Sequence, residues 1–197
     1  RDRANTDAYE KFNKITNLKF QNKNIVLDLN FSEKFIQSIV NQNFKRNHIT
    51  ICGTSLFKIH KVKKILKKIN CLILNKEELY SLSNIKNIKK SIKKIINQNP
   101  EINVIVSNAD KKTYGYDMSN FISCKPPKIQ AVNENGAGDI MTGNYIYYKS
   151  KKYKMSSALS LAVAAGTLYA KSKVTKINLN YNLIKKINKN IIHKSEK

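Results

Sequence analysis

Two textures alternate along the first half of the chain. Short apolar runs at residues 25–29, 48–52, 71–74 and 103–106 read as buried strands set between polar turns. Between them, apolar side chains recur every three or four positions, the spacing of one helix face. The pattern predicts a helix from Ser32 to about Asn41, and a second capped by Ser55 and carrying Leu56, Ile59, Val62, Ile65 and Leu66. A short helix follows over 75–82, then one from about Asn84 to Asn97 that stops ahead of Pro100. Strand and helix thus alternate four times. That order predicts right-handed crossovers and a three-layer, Rossmann-like α/β fold, a mainly parallel sheet with helices on both faces.

Over 112–132 the chain turns to β-prone pieces, at 113–116, 120–123 and, after Pro126 and Pro127, 128–132, which are expected to form an antiparallel edge. Helical patterns resume at about 136–150, 156–172 and 181–192, the middle one rich in alanine. No repeat, linker or charge boundary divides the chain, so a single domain over 1–197 is expected, with 1–24 as an ill-defined lead-in. The longest uncharged stretch, 155–170, is 16 residues, short of the roughly 20 that span a membrane. It reads as a buried helix. The first residues carry no apolar segment of signal-peptide type, and a cytoplasmic location is expected.

A formal net charge of +24 raises the question of a polyanionic partner. Only Arg1, Arg3 and Arg46 are arginine, the residue that reads bases and phosphates bidentately. Lys, Asn and Ile together make 86 of the 197 residues, and all three are written in adenine- and thymine-rich codons. The lysines alternate with Ile, Leu and Val along helical stretches, as on a solvated helix face. A nucleic-acid partner is therefore not expected, nor a membrane. Three widely spaced cysteines, Cys52, Cys71 and Cys124, fit neither a disulfide framework nor a zinc cluster and read as reduced structural thiols.

Chemistry concentrates in one segment. Of six glycines, three fall between Asn133 and Gly143, at a strand-to-helix junction. A glycine-rich turn that opens a helix presents several backbone N–H groups, and the helix dipole adds to their attraction for anions. Gly136 and Gly138 let an anion approach the backbone, and Asp139 in the first turn sets a carboxylate beside it, placed to take a proton from an attacking alcohol. The plainer alternative is a tight turn with Asp139 complementing the helix N-terminus. Asn75 and Glu78 have the spacing of a capping box. Asp28 and Asn30 stand at the end of the first strand, on the side where α/β sheets bind ligands, or form a simple turn pair.

The run Gly136, Ala137, Gly138, Asp139 resembles the second signature of the ribokinase, or PfkB, carbohydrate kinases. The Ala-rich stretch up to Gly166 is similar to the packing helix that follows that signature, and Asn75 to Glu78 to the family's Asn-x-x-Glu motif after a strand. Within the family the likeness is greatest to pseudouridine kinases, through the segment from Cys52 to Ser55 and Lys58 and through Lys173, Val174 and Thr175. The resemblance covers residues 25–180 and the C-terminal part of the family domain. It implies a kinase that transfers the ATP γ-phosphoryl group to a hydroxyl of a sugar or nucleoside, pseudouridine first. Asp139 would be the base, and the amides of Gly136, Ala137 and Gly138 the anion hole. Asn75 and Glu78 would lie in the phosphate and Mg2+ region, Glu78 holding the metal through water. Ser107, Asn108 and Ala109 stand where the family has a nucleotide-contacting Thr-x-Gly, and a monovalent cation is a further cofactor in view.

Three departures accompany the likeness. Asn135 replaces a Thr, Glu134 sets a negative charge beside the anion seat, and Ala109 replaces a Gly, so looser nucleotide binding is expected. The family's Gly-Gly sugar-binding motif and lid strands have no counterpart in the sequence. A split or inactive kinase that binds nucleotide, paired with a separately encoded N-terminal half or with itself, is the second reading. A basic nucleic-acid binder is the third.

Overall fold

The computed structural model describes residues 17–118, 120–133, 135–172 and 180–196. The chain forms two compact units, the first ending at Ile105 and the second beginning at Val106.

In the first unit, β1 (Asn24–Asp28), β2 (His48–Cys52) and β3 (Cys71–Asn75) run parallel, in the order β1-β2-β3. The parallel register puts Ile25 against Ile49 and Ile51 against Leu72, an aliphatic centre that a one-residue slip would turn outward. Ile25 is buried while Val26 is 45% exposed, so β1 alternates where the sequence reads as a uniformly buried run. Helix α1 (Glu33–Asn43) connects β1 to β2. Ser32 caps it, its hydroxyl accepting from Phe35 N at 3.2 Å, and Phe35, Ile36, Ile39 and Val40 form its buried face.

The expected helix after β2 is replaced by 3-10 turns at Ile59–Lys64 and Leu66–Lys68. Ile59, Val62 and Ile65 are three residues apart and all buried, a period of three that suits a 3-10 helix better than an α-helix. Ser55 accepts from Phe57 N and shapes a turn in place of an N-cap. Helix α2 (Lys76–Ser83) ends at Asn84, which adopts φ 57. That left-handed residue breaks the helix expected from Asn84, and α3 (Ile88–Ile96) starts under its own cap, Asn87. Strand β4 (Asn103–Ser107) runs across the division between the units.

In the second unit, β5 (Thr113–Asp117), β6 (Asn120–Lys125) and β7 (Ile192–Glu196) pair antiparallel in that order. The antiparallel edge is therefore present, but its third strand is β7 and not 128–132. That stretch is irregular, and its last residue, Val132, donates from its backbone N to Ala170 O at 2.7 Å. Helices α4 (Ala137–Ser150) and α5 (Met155–Lys171) pack on each other, α5 burying Ala158, Leu159, Leu161, Ala162, Ala164 and Ala165. Helix α6 (Tyr181–Asn188) stops short of the expected Ile192, which opens β7. Among the described residues no helix is long and apolar enough to cross a membrane.

Candidate active site

In the second unit the glycine-rich turn leads into α4. Gly136 occupies the N-cap position at φ 92, a conformation that a side chain would strain, and no side chain caps the helix. The first intrahelical bond runs from Ile140 N to Gly136 O at 2.9 Å, so the amides of Ala137, Gly138 and Asp139 lie ahead of it. A Cβ on Gly138 would meet nothing within 4 Å among the described residues, so the turn is open at that position. Asp139 is exposed in the first turn. The approach is fixed from α5: Ala170 O accepts from Val132 N and Asn133 N, and Asn133 Nδ2 donates to Ser172 O. Gly166 sits under the first turn of α4, where a Cβ would come within 2.9 Å of Ala137 O. Glu134, Lys173, Val174 and Thr175 lie outside the described residues.

In the first unit, Asn75 and Glu78 form a full capping box. Asn75 Oδ1 accepts from Glu78 N at 2.8 Å and Glu78 Oε2 accepts from Asn75 N at 2.9 Å. Glu78 is only 2% exposed, and burial pushes its carboxyl above the usual carboxylate range against the lowering effect of the Asn75 hydrogen bond. Neither ion pair among the described residues involves it. Gly53 makes its place: a methyl group there would overlap the Glu78 carboxylate. A buried carboxylate with no cationic side chain paired to it among the described residues, and with one oxygen outside the capping box, suits a hydrated Mg2+, which takes one or two carboxylates and keeps several waters. No cluster of three or more acidic, His or Cys ligands occurs among the described residues.

At the end of β1, Asn30 donates to both Asp28 oxygens, from its backbone N at 2.8 Å and from Nδ2 at 2.9 Å. The turn reading thus holds, and the structure adds to it. Lys58 Nζ donates to Asn30 Oδ1 at 2.7 Å, while Lys61 Nζ donates to Leu29 O and Phe31 O at 2.8 and 2.7 Å. Burial, with Lys58 alongside, lowers the Lys61 ammonium below the usual lysine value. Sequence reading names Lys58 only as part of a motif and does not single out Lys61 or Gly53. The signal for the lysines is the three-residue period, which turns Lys58 and Lys61 to one edge of the 3-10 turn. Ser107, Asn108 and Ala109 close β4, and Ala109 adopts φ 46, a left-handed conformation that the family's glycine would take without strain. Burial pushes the Cys124 thiol up to about 12, which rules it out as a nucleophile at neutral pH.

Residues 4–180 match the pfkB family of carbohydrate kinases. The chain belongs to that family. The match begins ahead of Ile25, within the lead-in. Three structures of the family's fold superpose on the chain. Phosphofructokinase-2 from Escherichia coli, solved with substrates and products, is 19% identical with a TM-score of 0.76, covering 93% of this chain and 62% of its own. A nucleoside kinase of the ribokinase family from Methanocaldococcus jannaschii is 16% identical with a TM-score of 0.77, covering 93% and 61%. Fructokinase from Vibrio cholerae O395, bound to fructose, ADP and calcium, is 15% identical with a TM-score of 0.71, covering 86% and 62%. The pfkB chain therefore has the ribokinase-like α/β fold, with a mixed, mostly parallel sheet, and spans about three fifths of the length of these structures. No curated protein matches its sequence.

Proposed function

We propose that residues 1–197 form the ATP-binding and catalytic part of a single pfkB-type kinase domain. It transfers the γ-phosphoryl group of ATP to a hydroxyl of a sugar or nucleoside in the cytoplasm, and pseudouridine is the first acceptor to test. The observation that carries this is the uncapped N-terminus of α4, with Gly136 at φ 92 and Asp139 in its first turn, inside the family match. In this reading the Asp139 carboxylate takes the acceptor's hydroxyl proton as its oxygen bonds to phosphorus and the bond to the ADP oxygen breaks. The amides of Ala137 and Gly138, aimed by the turn, stabilise charge on the transferring group without reorganising. Gly136 supplies the left-handed turn that aims them. Ser107, Asn108 and Ala109 contact the nucleotide, and Asp28 and Asn30, steadied by Lys58 and Lys61, serve the acceptor. Asn75 shapes the turn that holds Glu78, and Glu78 holds Mg2+ through water; the metal, when bound, neutralises phosphate charge.

The test is ATP turnover with magnesium against pseudouridine, ribose, fructose and common nucleosides. Asp139→Asn should lower kcat by about 100-fold or more with nucleotide affinity nearly unchanged, since the base acts only in the chemical step. Equal loss of binding and turnover would remove Asp139 from that role. A second reading is favoured by the three-fifths coverage of the relatives: a nucleotide-binding part that turns over only with a separately supplied N-terminal half or in a homodimer. Saturable ATP binding without turnover, restored by that half, would establish it.

A further inference from the structure

At the far end of α4, in the same unit, four tyrosines gather. Tyr148 is 4% exposed and forms the hub, its ring centroid 5.3 Å from Tyr147, 5.4 Å from Tyr153 and 6.4 Å from Tyr181. The three outer rings stay open to solvent, Tyr147 at 55%, Tyr181 at 40% and Tyr153 at 36%. Each flank carries a cation: Lys185 Nζ lies 4.5 Å from the Tyr181 ring centre and Lys151 Nζ 5.8 Å from that of Tyr147. Two cavities adjoin through Tyr153 and Tyr181. One, of about 450 Å3, lies among Tyr147, Tyr148 and Lys151; the other, of about 270 Å3, is lined by Ser156, Ser157, Lys185 and His193.

Among the described residues no carboxylate lines either cavity. A cationic ligand meets two ammonium groups there, and a neutral sugar leaves them without a counter-charge. A ligand with a flat π-face and a negative charge satisfies both, stacking on the open rings while its anion pairs with Lys151 or Lys185. The hydrogen bond with Tyr153, and Lys185 beside it, hold the Tyr181 phenol below the usual tyrosine value against the opposing effect of burial. Base–aromatic stacking of this kind is indifferent to sequence. Nothing here belongs to the phosphate seat, which lies at the other end of a 14-residue helix about 20 Å long.

We propose that this tyrosine–lysine surface binds a base-and-phosphate ligand, either a free mononucleotide or the exposed nucleotides of a single-stranded nucleic acid, at a site separate from the phosphate seat. Lysine scatter along the sequence argues against a nucleic-acid partner, but it carries no information about where the rings gather.

The experiment is fluorescence anisotropy of a labelled single-stranded RNA of about 12 nucleotides on the full chain. Tyr147→Leu and Tyr181→Leu keep the charge and should each weaken binding about tenfold. Lys151→Gln and Lys185→Gln should each flatten the salt dependence by a slope of about 0.7. Displacement of the strand by AMP identifies a free nucleotide as the ligand; displacement only by unlabelled strand identifies single-stranded nucleic acid. If the leucine variants melt as the parent does yet bind equally, or a duplex of equal length competes as well, binding follows net charge alone and the proposal is overturned. Gly138→Asp should abolish ATP binding at the phosphate seat with strand binding intact, so this site and the kinase reading fail or stand independently.

Discussion

Glu78 shows how a capping residue can be buried at a cost. Its spacing from Asn75 reads in the sequence as a capping box, and both hydrogen bonds are present. The sequence did not disclose its burial, because that depends on Gly53, 25 positions upstream, having no side chain. Because burial raises its carboxyl above the ordinary 4.5, the folded chain binds that proton more readily than the unfolded one. The native state is then favoured below about pH 4.5 and loses that advantage as pH climbs through the raised value. Glu78→Gln keeps an oxygen for Asn75 N and removes the buried charge. In magnesium-free buffer we expect the urea midpoint of the variant at pH 7 to equal or exceed the parent's, with a flatter decline between pH 4 and 7. A variant that unfolds earlier than the parent at pH 7 would show that the carboxylate's hydrogen bond outweighs its desolvation. With magnesium and ATP the order should reverse, the parent gaining more stability from the bound pair than the variant does.

Among the elements, strong periodicity was legible and context-dependent pairing was not. All four strands of the first half, β1 to β4, were legible, because a short aliphatic run between polar turns has few alternatives. The 3-10 turns were misread because residues three apart satisfy a loose helix pattern until burial reveals the strict period. Strand β7 was missed because Ile192 to Glu196 carries no alternation of its own and becomes a strand by pairing with β6. Local propensity and packing also diverge at Gly166 in α5. In an exposed helix Gly→Ala stabilises by about 1 kcal/mol. Here the new methyl would lie 2.9 Å from Ala137 O and 3.2 Å from Met141 Cβ, so the two helices must part. We expect Gly166→Ala to cost about 1–3 kcal/mol and to lower phosphotransfer, since Ala137 opens the turn that carries Asp139. A rise in melting temperature would mean that α4 yields without loss.

For the whole molecule, the signature around Gly136 was enough to anticipate the fold and to nominate one turn for chemistry, because backbone chemistry is written locally in glycines. The tyrosine surface escaped notice because its rings come from α4, the turn after it and α6. Charge is the remaining property at this scale. A net +24 is opposed, among the described residues, by two ion pairs, Lys64–Glu33 at 2.8 Å and Lys76–Glu77 at 3.0 Å. Each has a partner more than half exposed, and such pairs contribute at most about 1 kcal/mol. Repulsion among the lysines therefore outweighs attraction, and folding draws them closer together. Raising sodium chloride from about 0.01 to 0.5 M shortens the screening length from roughly 30 Å to below 8 Å. We expect the melting temperature to rise by roughly 3–8 °C, the equivalent of about 1–2 kcal/mol at this chain length. Sodium sulfate at equal ionic strength should act alike if screening is the cause, whereas a much larger sulfate effect would indicate exclusion from the surface. A fall with added chloride would mean that attractive pairs dominate and that the lysines stand too far apart to repel.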